Sequence, residues 1–189
     1  MISYTVFAGV NGAGKSTLYR TYEELHKEIR VNCDEILREF GGDWKNKEDQ
    51  FKSGKIAVQR IEDCFQNKAS FNQETTLASK NAIRNALRAR ELGYYTEMHF
   101  VYVDSIEIVL DRIENRVKYG GHGIPEETVR KRYVSSINNL RQAIDAFDTV
   151  YIYDNTNNII DVATYYHREL IWSLDNLPNW YKTFLDTDY

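Results

Sequence analysis

The chain is predicted to be an α/β protein, a three-layer sandwich in which helices cover both faces of a mainly parallel sheet. Three observations predict this. Short runs rich in β-branched and aromatic residues (Tyr4–Ala8, Tyr94–Val103, Val150–Tyr153) alternate with longer stretches of helical periodicity, a pattern that implies right-handed βαβ crossovers. The first run leads directly into a glycine-rich loop followed by an amphipathic stretch. No repeat, low-complexity tract or long linker interrupts the 189 residues, a length that suits one domain.

Tyr4 to Ala8 reads as the first strand. The apolar positions Leu18, Tyr22, Leu25 and Ile29 then predict a helix over 17–30. A second strand is expected around Ile29 to Cys33, with Asp34 at its end, followed by a polar loop over 41–47. Phe51, Ile56, Val58, Ile61 and Phe65 predict a long amphipathic helix from Lys47 to Lys68, in which Gly54 costs about 1 kcal/mol relative to alanine. Ser70 to Thr75 is a short candidate strand. Ser79 opens a helix with Ile83, Ala86 and Leu87 on one face, stopped by Gly93. Tyr94 to Val103 is the strongest strand signal. Ser105 begins a helix through Val109, Arg112 and Arg116 that ends at Gly120 and Gly121, and Pro125 begins another that reaches Phe147. Val150 to Tyr153 is a further strand ending in Asp154-Asn155-Thr156. Beyond it a hairpin near 162–174 and a short helix after Pro178 are expected. The whole is read as a single domain over 1–189, with a helical lid around 105–147 and a C-terminal appendage over 157–189.

Acids outnumber bases, 28 to 24, leaving a formal charge of −4, which argues against non-specific nucleic-acid binding. An apolar content of 42% with 13% aromatics is that of a globular chain. No apolar run approaches the roughly 18 residues that span a bilayer, and Met1-Ile2-Ser3-Tyr4 starts no signal peptide. Cys33 and Cys64 show neither metal nor redox spacing. A cytoplasmic protein with reduced thiols and no membrane partner is the expectation, with Cys33 packed in the sheet.

The chemistry is concentrated first in Gly9-Val10-Asn11-Gly12-Ala13-Gly14-Lys15-Ser16, which matches G-x-x-x-x-G-K-[ST] without a gap. Such a loop converges backbone N–H groups on phosphate oxygens, and its glycines permit both the backbone angles and the close approach. The helix that follows adds free N–H groups and a positive dipole end. ATP is the expected cofactor, held by Gly9, Asn11, Gly12, Ala13, Gly14, Lys15, Ser16 and Thr17. Lys15 would bridge the β- and γ-phosphates and Ser16 would ligate Mg²⁺.

Three classes of phosphate-loop protein compete. A regulatory GTPase needs N-K-x-D, and Asn46-Lys47-Glu48-Asp49 spells it, but in a polar loop with no apolar strand before it and no D-x-x-G elsewhere. It reads as a solvated helix start. A transporter or motor ATPase needs an L-S-G-G-Q-like signature or an apolar strand ending in Asp-Glu, and neither occurs: the strand to Val103 ends in Asp104-Ser105, which reads as a helix cap. A small-molecule kinase needs a carboxylate beside the acceptor hydroxyl, and Asp34 occupies that place; such a base contributes roughly 10²- to 10⁴-fold. It also needs positive charge around the migrating phosphoryl group, and residues 112–132 supply Arg112, Arg116, Lys118, Arg130, Lys131 and Arg132 around Gly120-Gly121-His122-Gly123. Glu74-Thr75-Thr76 stands at a strand's carboxyl end, where ligands bind in open α/β sheets. Asn155 and Thr156 are candidates for the adenine pocket, and His122 for a phosphate contact or an exposed turn residue. Trp172 and Trp180 are read as packing residues. A non-catalytic ATP-binding switch stays open beside the kinase.

Over residues 3–155 the chain resembles the zeta-toxin family of phosphate-loop kinases. The likeness rests on the loop, Asn32-Cys33-Asp34, Glu74-Thr75-Thr76-Leu77, the Arg112–Arg132 block with Gly120-Gly121-His122-Gly123-Ile124-Pro125, and Tyr153-Asp154-Asn155. The resemblance implies ATP-dependent phosphorylation of a sugar nucleotide, typically UDP-N-acetylglucosamine at the sugar 3′-hydroxyl, and an antitoxin protein as partner. It also implies Asp34 as catalytic base, Lys15 at the phosphates, Glu74 and Thr76 facing the substrate, and Arg116 and Arg132 as lid arginines on the transferred group. The large toxins carry an arginine shortly after Glu-x-Thr, where this chain has Leu77-Ala78-Ser79. Another nucleotide or cofactor hydroxyl therefore stands as an alternative acceptor.

Overall fold

The computed structural model describes residues 1–186. The last three residues of the expected C-terminal appendage lie outside that range. Seven strands, β1 (Ser3–Ala8), β2 (Ile29–Val31), β3 (Phe71–Thr75), β4 (Tyr95–Tyr102), β5 (Thr149–Asp154), β6 (Ile160–Tyr166) and β7 (Glu169–Ser173), form one sheet in the order β2-β3-β1-β4-β5-β6-β7. The first five are parallel; β6 and β7 add on antiparallel. The helices are α1 (Lys15–Thr21), α2 (Cys33–Glu39), α3 (Lys47–Gln66), α4 (Asn81–Glu91), α5 (Ile106–Lys118), α6 (Glu126–Ala146) and α7 (Asn179–Asp186). The predicted three-layer α/β class is the observed one.

Alternation along β1 explains the layers. Tyr4, Val6 and Ala8 belong to a large cluster with residues of α3, α4, α6 and α7, while Phe7 joins a second cluster with Leu18, Val109 and Ile113. The sheet is thus buried on both faces, as a parallel sheet requires. Asn46 caps α3 by accepting the Glu48 amide at 2.8 Å, so the tetrapeptide spelling a guanine-reading motif is a helix start. Ser105 caps α5, and Gly93 ends α4 with φ +82°. In the β6–β7 hairpin the turn residues His167 and Arg168 both have positive φ.

Two expectations fail near the amino end. The helix predicted over 17–30 stops at Thr21 and gives way to a 3₁₀ turn, Glu23–Leu25. The reason is tertiary: the buried Asn72 amide on β3 donates to Leu25 O at 3.0 Å and its Oδ1 accepts the Lys27 amide at 2.7 Å, drawing that segment out of helical conformation. The second strand ends at Val31, so Cys33 and Asp34 open a helix instead of closing a strand. Asn32 Oδ1 accepts the Asp34 and Glu35 amides, the two acids favour the positive end of the dipole, and Gly41 at φ +70° ends the chain's turn out of α2. Cys33 is consequently exposed rather than packed in the sheet, while Cys64 is buried. Trp180 and Tyr181 of α7 are buried in the large cluster, whereas Trp172 lies exposed on the edge strand β7.

Candidate active site

The loop leaves the carboxyl end of β1 and enters α1. Gly9, Gly12 and Gly14 have φ of +131°, +81° and +103°, in the left-handed region open to glycine. Space makes the same demand: a Cβ on Gly9 would collide with the Val101 carbonyl, and one on Gly14 with the Asn155 amide. The Ala13 amide turns back to Val10 O at 3.1 Å. Gly14 is the N-cap of α1 and no side chain caps that helix; the Thr17 amide turns back to Gly14 O at 3.0 Å, which leaves the Lys15 and Ser16 amides for a ligand.

Lys15 is 6% exposed. Its Nζ donates to Val10 O at 3.1 Å and lies 3.8 Å from Glu74 Oε1. Burial pushes its pKa down; the charges of Glu74 and Asp34 oppose this, and those of Arg116 and Arg132 reinforce it. Lys15, Asp34, Glu74, Arg116 and Arg132 are thus near enough for their charges to act on one another, although they come from α1, α2, β3, α5 and α6.

Glu74 is the hub of the cleft. Its carboxylate accepts from Ser16 Oγ at 3.0 Å, Arg30 Nη2 at 2.8 Å and Asn32 Nδ2 at 2.9 Å. Arg30 is itself fixed, 3.7 Å above the Tyr19 ring and 3.3 Å from Glu35. Neither Arg30 nor Asn32 was singled out for this role from sequence. The signal available was one arginine in an otherwise apolar strand and a helix-capping asparagine beside it. Thr76, expected beside Glu74 at the substrate, uses its hydroxyl within its own turn, accepting the Ala78 amide at 3.4 Å.

The basic block divides cleanly. Lys118, Arg130 and Lys131 pair with Glu114, Glu126 and Glu127 on solvated helix faces. The other three point inward. Arg112 Nη2 donates to Asn155 O at 2.8 Å and Thr156 O at 3.1 Å, and Asn155 Nδ2 donates to Ala13 O at 2.8 Å, so the end of β5 is fastened to the phosphate loop. Arg132 donates to Asn11 Oδ1 at 3.0 Å. Nε and Nη2 of Arg116 are buried without a hydrogen-bond partner among the described residues. Buried guanidinium N–H groups left unpaired are costly, and an oxyanion at the mouth of the loop would satisfy them. The residues present thus fit a polyphosphate. Ser16 Oγ at the helix start fits a Mg²⁺ ligand, although the described residues contain no cluster of three His, Cys, Asp or Glu for a metal on its own. Asp34 sits on the first turn of α2 with Oδ1 3.8 Å from His122 Nε2.

Residues 5–136, from β1 into α6, match the AAA domain family. The chain belongs to that family. This AAA domain is 32% identical over 127 residues to an uncharacterised protein of Haemophilus influenzae, covering 67% of this chain and 89% of the relative. Its fold is shared by solved structures that have little of its sequence in common. A chain of the AvrRxo1-ORF1:ORF2 complex with ATP superposes with a TM-score of 0.76 over 97% of this chain at 17% identity. The AAA domain spans 63% of that longer chain. The PezAT toxin-antitoxin system of Streptococcus pneumoniae gives 0.59 at 16% identity, covering 97% of this chain and 82% of that one. Shikimate kinase of Acinetobacter baumannii, in complex with shikimate, gives 0.51 at 16% identity over 76% of this chain and 80% of its own. No helix among the described residues is long and apolar enough to cross a membrane.

Proposed function

We propose that this AAA domain is an ATP-dependent kinase of the zeta-toxin type, which transfers the γ-phosphoryl group to a hydroxyl of a UDP-sugar such as UDP-N-acetylglucosamine. The observation that supports the reading is a buried Lys15 whose charge feels those of Asp34 and Arg116, together with the unpaired buried guanidinium atoms of Arg116. Bound Mg·ATP would supply an electrophilic phosphoryl group. The loop amides and Lys15 would hold its phosphates, Ser16 Oγ would hold the metal, and Glu74, which accepts from Ser16 Oγ, would support that site. Asp34 would orient the acceptor hydroxyl and take its proton as oxygen bonds to the γ-phosphorus and the bond from that phosphorus to the departing ADP oxygen breaks, worth roughly 10²- to 10⁴-fold. Arg116 and Arg132 stabilise the charge spread over the migrating group. Residues 105–147 act as the lid that brings both arginines in. The relatives solved with ORF2 and as a toxin-antitoxin system support a small protein antitoxin as partner.

The run Leu77-Ala78-Ser79 favours a second acceptor class, because Leu77 is buried with φ +57° and no arginine follows Glu74 there. A screen of UDP-sugars and nucleotide cofactors with labelled ATP decides between them. Label on a UDP-sugar supports the reading, and label on another nucleotide redirects it. Asp34→Asn should keep ATP binding and lose transfer by at least about 10²-fold. Slow ATP hydrolysis that ignores this variant, with no acceptor labelled, would leave a nucleotide-binding switch.

A further inference from the structure

The turn joining α5 to α6 carries one side chain that this chemistry does not use. His122 has a side chain 19% exposed, and its Nε2 stands 3.8 Å from Asp34 Oδ1. That is an electrostatic contact, close enough for a water or a small movement to complete a hydrogen bond. The glycines on either side fix it there. A Cβ on Gly121 would lie 2.5 Å from Arg116 Cγ, and one on Gly123 would lie 2.6 Å from the Trp44 ring. Gly121 also donates its amide to Arg116 O at 2.9 Å. On the other side, Trp44, from the loop joining α2 to α3, packs 5.4 Å from the His122 ring at 43°. The turn is thus clamped between the arginine of α5 and the loop that follows Asp34's own helix.

We propose that His122 is a positioning residue for Asp34: as neutral imidazole it holds the carboxylate in line with the acceptor, and once protonated it captures that carboxylate in an ion pair and withdraws it. The inference rests on the kinase reading above for Asp34's role, but the pairing itself does not. Asp34 and Arg38 face His122 from α2, Arg116 from α5 and Arg132 from α6. Burial holds the imidazole below its ordinary pKa; Asp34 opposes this, and the three arginines add to it. The ring therefore takes up its proton at a lower pH than a free imidazole does.

Two measurements test this. With saturating acceptor, His122→Gln should lower kcat about 10-fold or more through misplacement of the base, leave acceptor KM and ATP Kd within about two-fold, and abolish the acid limb that wild type shows in its pH profile. Unchanged kcat with the same acid limb would overturn the proposal. Independently of turnover, the imidazole resonances of His122, assigned by their absence in His122→Gln, should titrate at lower pH in Asp34→Asn than in wild type. A midpoint unmoved by Asp34→Asn would show that the pair does not exist. If no acceptor is ever labelled, the kinase reading fails on its own, while this titration still decides the pairing.

Discussion

Ser16 Oγ donates to the Glu74 carboxylate at 3.0 Å, tying the first turn of α1 to the end of β3. The same carboxylate holds Arg30 and Asn32 and neighbours Lys15, so one acid from the strand beside β1 organises the loop, the second strand and the start of α2. Glu74→Ala would leave Lys15 without its neighbouring carboxylate and Arg30 with Glu35 alone. We expect a loss of about 2 kcal/mol, roughly 4–8 °C in Tm for a chain of this size. Glu74→Gln should lose less stability but raise the Mg²⁺ concentration needed for half-maximal activity. Thermal melts and a Mg²⁺ titration check both.

Lys15→Met should abolish phosphoryl transfer without lowering Tm. Burial lowers the lysine's pKa in the fold, so the unfolded chain binds that proton more tightly and the charged side chain costs stability at every pH below its folded value. Removing it relieves that cost, and the Tm advantage of the variant should shrink as pH rises towards the ordinary lysine range. Melts at pH 7 and pH 10, beside a labelled-ATP assay, read the two effects.

Arg116→Ala should leave the ligand-free melt near wild type, because Nε and Nη2 have no partner among the described residues to lose. The rise in Tm on adding Mg·ATP should be smaller in the variant, since only a bound anion pairs the guanidinium. Arg116→Lys should not restore it, because an ammonium lacks the planar fork. An equal ligand-induced rise in wild type and Arg116→Ala would remove Arg116 from the phosphate site.

Gly9→Ala should destabilise by about 2–4 kcal/mol, since its φ of +131° strains an alanine and the new Cβ meets the fixed backbone carbonyl of Val101. Gly54→Ala, where a Cβ meets nothing within 4 Å inside α3, should stabilise by about 1 kcal/mol. Urea unfolding of the two variants compares a glycine needed for geometry with one that is not.

Local signals were legible wherever local forces decide. Gly93, Ser105 and Pro125 mark helix ends because caps and left-handed residues act within one turn. The helix α2 was equally marked, by Asn32, the acids at 34 and 35, and Gly41, but an expected strand end concealed it. The end of α1 was not legible: Leu18, Tyr22, Leu25 and Ile29 keep helical spacing, and only Asn72, 45 residues from its partner Lys27, breaks it.

By itself the sequence determined the α/β alternation and the phosphate loop, because the spacing of Gly9, Gly12, Gly14 and Lys15 is carried within one short stretch. Only the tertiary structure decided which charges share the cleft. Sheet order places β3 beside β1, and this sets Glu74 against Ser16. The rotation of α5 and α6 turns Arg112, Arg116 and Arg132 inward and Arg130 and Lys131 to solvent. Those choices are made by long-range packing of strands and helices, which spacing along the chain does not encode.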